Sequence, residues 1–464
     1  MTLDRQRLML VLERAHSGPI CDTFTWDTQM MTRPISASLK KYGLQNTYNA
    51  ARPINQDDDL ADRFFEAAMD MVPEVGLLCM DTQRVIKFTR DEIREALQAA
   101  PARFTLGEGK DTVEYRHRMP EDTYPPIWAA PLSIVVTEDL FLAVAEGIAR
   151  IPEVDCMEGP SMETIWGTKL RAGSPLELLG GKVQAQLMQK VLDRVGREGM
   201  GRYAVSTSPT HYGILGGYGA PGGYVPGRDL VLVLSPAEMR TSYEVLHKLC
   251  HAYNQGGEAK IYAGNWSYIG GSGGGPEGAA LGCIACSLLL YAAYQPSTAA
   301  ASILDFKYMA NCGRRAQWAL SVVFQALSRN THTCSNVVLS QSAGPVTKML
   351  LQELAVGMMN VAVSGASTCI GPRPNGGKYT NHITPLETQF GGEVVKKSSG
   401  MSREQASEIA DRLLSLYEDR LVDPPKGKSY RECYDPETLQ PSDEWKRIYD
   451  EVKREVTEMG IPLE

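Results

Sequence analysis

The chain has 464 residues, 43% of them apolar, and a net charge of −8. That is enough for one large barrel with additions or for two to three average domains, and the lack of any basic cluster beyond pairs such as Lys40–Lys41 and Lys396–Lys397 excludes a nucleic-acid surface. The N-terminal stretch MTLDRQRLMLVLERAHSG reads as an amphipathic helix rather than a signal peptide. The longest apolar run, Cys283 to Tyr294, is too short for a membrane span, and ten scattered cysteines suit the reduced thiols of a cytoplasmic protein.

In chain order, residues 1–120 read as an α+β extension. Asp57–Met71 has helical spacing, VGLLCMDTQRVIKFTRDEIREAL suggests a short hairpin leading into a helix, and FTLGEGKDTVEYRHR suggests a second strand pair. From 121 to 400 a beat of short apolar run, Gly/Pro/Ser loop and long helix repeats. Strands are predicted at Ile127–Ala130, Val154–Met157, Arg202–Ser206, Leu230–Leu234, Lys260–Ala263, Ile303–Phe306, Asn336–Leu339 and Val361–Gly365. Helices are predicted over Pro175–Arg197, Ala237–Asn254 (with Ser235–Pro236 as its start), Gly278–Tyr294, Arg314–Arg329 and Val346–Met359. Eight such units predict an α/β fold, a (β/α)8 TIM barrel. Residues 401–464 form a charged helical tail.

In a barrel of this kind the site is built at the C-terminal mouth by the loops after the strands. The loop after the third strand, STSPTHYGILGGYGAPGGYVPG, carries His211, Tyr212, Tyr218 and Tyr224 among seven glycines. The loop after the fifth, GNWSYIGGSGGGPEG, carries Trp266 and Tyr268. Glycine interleaved with aromatics suits a mouth that receives a bulky partner; ordinary turn chemistry in long surface loops is the plainer reading. Other motifs fail. Gly273–Gly278 matches a dinucleotide loop only formally, lying about ten residues past its strand with no acidic residue to follow. The pair His247 and His251 lacks the glutamate of a zinc helix, so no metal is expected, and Cys283 with Cys286 sits inside an apolar helix.

RAHSGPICDTFTWD, VGLLCMDTQRVIKFTRDEI, FTLGEGKDTVEYRHR, SPLELLGGK, GREGMG, IGGSGGG, SAGP and the long tail block LLSLYEDRLVDPPKGKSYRECYDPETLQPSDEWKRIYD occur in order along the chain. With these blocks the chain resembles the monomethylamine methyltransferase family nearly end to end. The resemblance implies a barrel assembled into homo-oligomers. It also implies a separate corrinoid protein whose Co(I) docks on the mouth and takes a methyl group. No cofactor would then be held by the chain itself; the corrinoid is the partner's. Gly270, Gly271, Gly273 and Gly274 are the expected corrinoid-facing positions.

The family's methylamine enzymes carry pyrrolysine directly after Gly-Met-Gly-x. Here that motif is Gly199-Met200-Gly201-Arg202, and the position falls on Tyr203; the two polar partners of the pyrrolysine site, a Glu and a Gln, fall on Gly264 and Val338. A phenol cannot trap an amine covalently, so a donor other than monomethylamine is expected. A quaternary ammonium or betaine-like compound carries its own positive charge and suits an aromatic cage. Tyr203 is then the residue ranked first, as cage wall or acid, with a barrel-filling role as the structural alternative. Tyr212, Tyr218, Trp266 and Tyr268 are further walls, and Arg202 or Arg373 a carboxylate partner. Another methylated amine, or an ether or thioether, remains an alternative; the last two would need an acid from Glu158, Glu277 or His211. So do a methyltransferase using free cobalamin or a folate-borne methyl, and an inactive paralogue that only binds corrinoid proteins.

Overall fold

Eight parallel strands, each followed by a helix, occupy the centre of the chain. The structure, a computed structural model, describes residues 3–204, 207, 208 and 210–463. The strands are β1 Ile127–Ala130, β2 Cys156–Met157, β3 Tyr203–Ala204, β4 Leu230–Leu234, β5 Lys260–Ile269, β6 Thr298–Asp305, β7 Ser335–Val338 and β8 Thr368–Ile370. The helices that follow them in turn are α1 Glu138–Ala149, α2 Leu176–Arg194, α3 Tyr212–Gly217, α4 Tyr243–Tyr253, α5 Pro276–Tyr294, α6 Arg314–Asn330, α7 Lys348–Ser364 and α8 Pro385–Lys397. Spatial order runs β3-β4-β5-β6-β7-β8-β1-β2. A parallel bridge from Met157 to Arg202 then joins the two ends, giving a closed (β/α)8 barrel. The longest pairing, β5 with β6, runs from Tyr262 opposite Thr298 to Ile269 opposite Asp305.

The extension packs around this barrel. It contains helices Arg5–Ser17, Thr32–Lys41, Asp58–Val75 and Arg90–Ala99 and two hairpins, Leu77–Cys79 with Arg84–Ile86 and Arg103–Leu106 with Val113–Arg116. The second hairpin plugs the end where the strands begin. Its Leu106 and Tyr115 are fully buried against Ala129, Cys156, Tyr203 and Leu230. Its turn is stitched to the strand starts: Gly107 N donates to Arg228 O at 3.0 Å and Glu108 N to Gly199 O at 2.8 Å. Just beyond it, the buried Arg118 donates to the carbonyls of Ala362 and Ala366, each at 2.8 Å. In the tail, α9 Arg403–Tyr417 and α10 Asp443–Met459 pack on α7 and α8, and Trp445 Nε1 donates to Thr384 Oγ1 at 3.0 Å.

Several boundaries differ from expectation. Val361–Gly365 is no strand: Val361–Ser364 is the last turn of α7 and Gly365 its left-handed cap at φ 92°, with the eighth strand beginning only at Thr368. That helix is buried all round, so it has no polar face to reveal its period. The expected strand at Ile303–Phe306 is the second half of β6, which starts at Thr298. The helix expected from Ala237 starts at Tyr243, because Ser242 provides the cap by accepting from Val245 N; Ser235 and Pro236 lie in the mouth. The third strand's last two expected residues, Val205 and Ser206, lie outside the described residues. Among the described residues one helix, α5, is long and apolar enough to cross a membrane, and 94% of that window is buried inside the protein.

Candidate active site at the barrel mouth

Side chains alternate along a strand, so the residues of one parity look into the barrel. On β5 these are Tyr262, Gly264 and Trp266; on β4 they are Leu232 and Leu234. Together with Ala300 and Ser302 of β6, Val338 of β7 and Ile370 of β8 they line a cavity of about 210 Å³. Leu132 and Ser133 after β1, Glu158 after β2, Ser235 after β4, Asn265 of β5 and Arg373 after β8 complete it. Gly264 helps make the space, since a Cβ there would stand 2.7 Å from Leu234 Cδ2. A second chamber of about 310 Å³ adjoins the first and shares Ser133, Glu158, Leu232, Leu234 and Ser235 with it.

The electrostatics centre on Glu158. Its carboxyl is buried, Oε1 accepts from Ser133 Oγ at 2.5 Å, and Oε2 has no hydrogen-bond partner among the described residues. Burial pushes its pKa up to about 7, against the opposing pull of the Ser133 hydroxyl and the Arg373 charge. Arg373 is itself held by its backbone. Its N–H donates to Gln341 Oε1 at 2.8 Å, and Gln341 N donates back to its carbonyl at 3.2 Å. Its Nε is buried without a partner among the described residues. The loop carrying Gln341 is in turn fixed by the buried Glu353 of α7, whose Oε2 accepts from Ser342 N at 3.0 Å and Ala343 N at 3.1 Å.

Three expected site residues are here: Trp266, Val338 and Arg373. Glu158 and Gly264, weighed as an acid and as an aligned position, are here too. Others lie elsewhere. Tyr203 is 0% exposed and lines neither chamber. As the first residue of β3 it lies one layer down, stacked at 5.9 Å beneath Tyr262 and donating to or accepting from Tyr115 at 2.7 Å. It therefore fills the barrel floor and is no cage wall. Arg202 is engaged inside the fold, bonding Asp229 Oδ2 at 2.7 Å, Ala185 O at 2.9 Å and Gly223 O at 3.3 Å, with its guanidinium over Tyr224, and it lines neither chamber.

The remaining aromatics and acids stand outside both chambers. His211 packs on Tyr212 and His247 with ring centroids 4.2 and 4.8 Å away, and Tyr218 and Tyr224 are buried in the wall. Tyr268 stacks on Phe306 at 4.3 Å. Glu277 accepts from Tyr48 N at 3.2 Å, tying α5 to the extension. The glycine turn lies past the end of β5 and closes on itself: Gly270 N donates to Gly274 O at 2.7 Å, and both residues have left-handed φ, 93° and 71°. Gly271 N reaches Tyr268 O, and Gly273 lies so close to Gly278 that a Cβ would come within 2.6 Å of it. His251 Nε2 meets Tyr218 O at 2.9 Å, and among the described residues no three metal-binding side chains converge. Tyr262 was missed in the sequence, although its spacing of two and four from Gly264 and Trp266 marks it as inward-facing.

A closed barrel with a plugged floor and a cavity at its strand ends has the architecture of a barrel enzyme. Residues 8–461 match the family profile described as monomethylamine methyltransferase MtmB. The chain is 28% identical over 454 residues to monomethylamine methyltransferase MtmB3 of Methanosarcina barkeri (strain Fusaro), covering 97% of each chain. It is also 28% identical to MtmB2 of Methanosarcina acetivorans, again over 97% of each. The crystal structure of the Methanosarcina barkeri monomethylamine methyltransferase superposes with a TM-score of 0.93 at 26% identity over 98% of each chain, and that of a hydroxylamine MtmB complex does so equally. The chain belongs to the monomethylamine methyltransferase MtmB family and is a methyltransferase.

Proposed function

We propose that the chain moves a methyl group from a small methylated onium compound, a quaternary ammonium or betaine, to the cobalt of a corrinoid carried by a separate protein. The observation that carries this reading is the lining of the first chamber. Trp266 and Tyr262 line it with aromatic rings, and Glu158 offers a buried carboxyl oxygen without a partner among the described residues. Each face is worth ~0.5–2 kcal/mol to a methylated cation, and Glu158 supplies a counter-charge when ionised. Arg373 Nε, without a partner among the described residues, can meet a carboxylate close to the onium centre.

The chemistry asks little more of the chain. The C–N bond breaks with both electrons staying on nitrogen, which leaves as a neutral amine, while the methyl carbon takes the electron pair offered by cobalt. No proton moves, so no acid and no covalent trap are needed; the chain binds, orients one methyl outward and excludes water. At the family's pyrrolysine position Tyr203 offers no electrophile. Around the opening Leu234, Phe306 and Met309 are 44%, 45% and 56% exposed, an apolar rim suited to a docked corrinoid protein, with the turn from Gly270 to Gly274 beside it. The homo-oligomer that family resemblance implies is part of this proposal.

A second reading rests on Glu158 alone: a carboxyl with its pKa near 7 is a competent acid for a methyl ether or thioether. Glu277 and His211 are not in the cavity and drop out of that role. The test is cobalt methylation of the cognate corrinoid protein with tetramethylammonium, glycine betaine, monomethylamine, a methyl ether and a thioether. Turnover of the onium donors and none of monomethylamine is expected. Turnover confined to the ether or thioether would replace the first reading with the second, and efficient turnover of monomethylamine would overturn both.

A further inference from the structure

The first chamber, at about 210 Å³, is smaller than the roughly 300–1,000 Å³ usual for small-molecule sites, and the adjoining 310 Å³ chamber brings the whole into that range. The two differ in character. Trp266, Val338 and Arg373 line only the first; Lys248, Glu244 and Thr210 line only the second. Most polar groups of the second chamber are already committed. Ser208 Oγ and Thr210 Oγ1 each donate to the buried Glu177 at 2.8 Å, and Ser242 caps α4. Lys248 is different. Its side chain is only 14% exposed, and its one ion pair among the described residues is with Glu244, 3.7 Å away and 40% exposed. Burial lowers its pKa against the opposing pull of Glu244 and Glu177.

Polar character therefore changes along the cavity: aromatic side chains at one end, the Glu158 carboxyl at the waist, and the largely buried Lys248 ammonium, with Glu244 beside it, at the other end. A zwitterion laid through the waist matches that order. We propose that the second chamber binds the anionic end of an extended donor through Lys248, so that the preferred donors carry their carboxylate several atoms from the onium centre. This rests on the onium reading above and narrows it. Short betaines reach Arg373 only; longer ones pass the wall of Glu158 and Leu234 and reach Lys248.

Calorimetric titration of the full chain with tetramethylammonium, glycine betaine and 4-(trimethylammonio)butyrate, for wild type, Lys248→Met and Lys248→Arg, tests it. Wild type should bind the butyrate about 10-fold or more tightly than glycine betaine, the size of one charge-assisted contact. Lys248→Met should lose that preference and Lys248→Arg keep most of it, with circular dichroism showing both folded. Equal affinity for the two carboxylates in wild type, or a preference that survives in Lys248→Met, overturns the proposal; the wild-type comparison decides even if a variant misfolds. Cobalt methylation separates the two claims. Onium turnover without a chain-length preference in binding removes the second-chamber site and leaves the onium reading. Lys248-dependent binding without any methyl transfer removes the onium reading and leaves the site.

Discussion

The hydroxyl of Tyr203 meets the hydroxyl of Tyr115 at 2.7 Å, joining β3 to the hairpin that plugs the barrel. Both phenols are fully buried, and burial holds both well above the usual tyrosine range, so neither ionises near neutral pH. Tyr203→Phe should then cost about 1 kcal/mol of stability, since Tyr115 keeps the Cys156 thiol at 3.3 Å. Tyr203→Ala empties a space beneath Tyr262 and should cost ~3–5 kcal/mol. Urea denaturation measures both. A Phe variant that is stable yet inactive would return the phenol to the chemistry.

The two arginines once equivalent in sequence should separate cleanly. Arg202→Met removes the nearest ion-pair partner of the buried Asp229, leaving it Arg228 at 3.4 Å, and should destabilise the fold by ~3–5 kcal/mol. Arg373→Met should instead weaken glycine betaine binding about 10-fold, with a smaller effect on tetramethylammonium, which has no carboxylate. Denaturation and calorimetry on the same two variants check this; an Arg373 variant with undiminished discrimination between the two ligands refutes it.

Glu158 predicts two opposite pH trends. Its folded pKa of about 7 lies above its ordinary 4.5, so the native state holds more protons between those values and stability falls as pH rises through them. Glu353 and Glu387, also raised to about 7 by burial, add to the same slope. Onium binding should run the other way, tightening as pH rises from roughly 6 to 8, because ionised Glu158 is the cation's partner. Melting curves and tetramethylammonium titrations across that range measure both. Glu158→Gln should flatten the binding trend, and a trend that persists in it would assign the titration to another group.

Glu353 is a positioning residue. It touches neither chamber but fixes Ser342 and Ala343, next to the Gln341 that holds the Arg373 backbone. Glu353→Gln either keeps its oxygen on the two N–H groups and turns an NH2 toward the Ser342 hydroxyl, which must then reverse, or turns that NH2 against the N–H groups themselves. The expected outcome is a raised KM for glycine betaine with kcat little changed, while KM for tetramethylammonium moves less. A drop in kcat alone, equal for both donors, would point to a general structural defect.

The repeating units of the barrel were legible because turn chemistry and apolar runs alternate so regularly, and the mouth because strand ends define it. What misled was depth. Tyr203, Arg202 and Trp266 all fall on strands or their margins with similar neighbours, yet Trp266 sits late on β5, at the mouth, and Tyr203 first on β3, at the floor. Depth depends on the stagger of strands around the barrel, which local sequence does not express. Val361–Gly365 failed for another reason: a β-branched apolar run is equally at home in a strand or in a helix buried on every side. Lys248 carried no signal at all, because on α4 it is one charged residue among several.

The plugged floor has a kinetic corollary. With the hairpin of Tyr115 plugging the lower end, the proposed donor and a docked acceptor protein use the same mouth. On that reading addition is expected to be ordered, donor before acceptor, with excess acceptor slowing turnover by covering empty barrels. Random addition without acceptor inhibition would show a second route to the cavity.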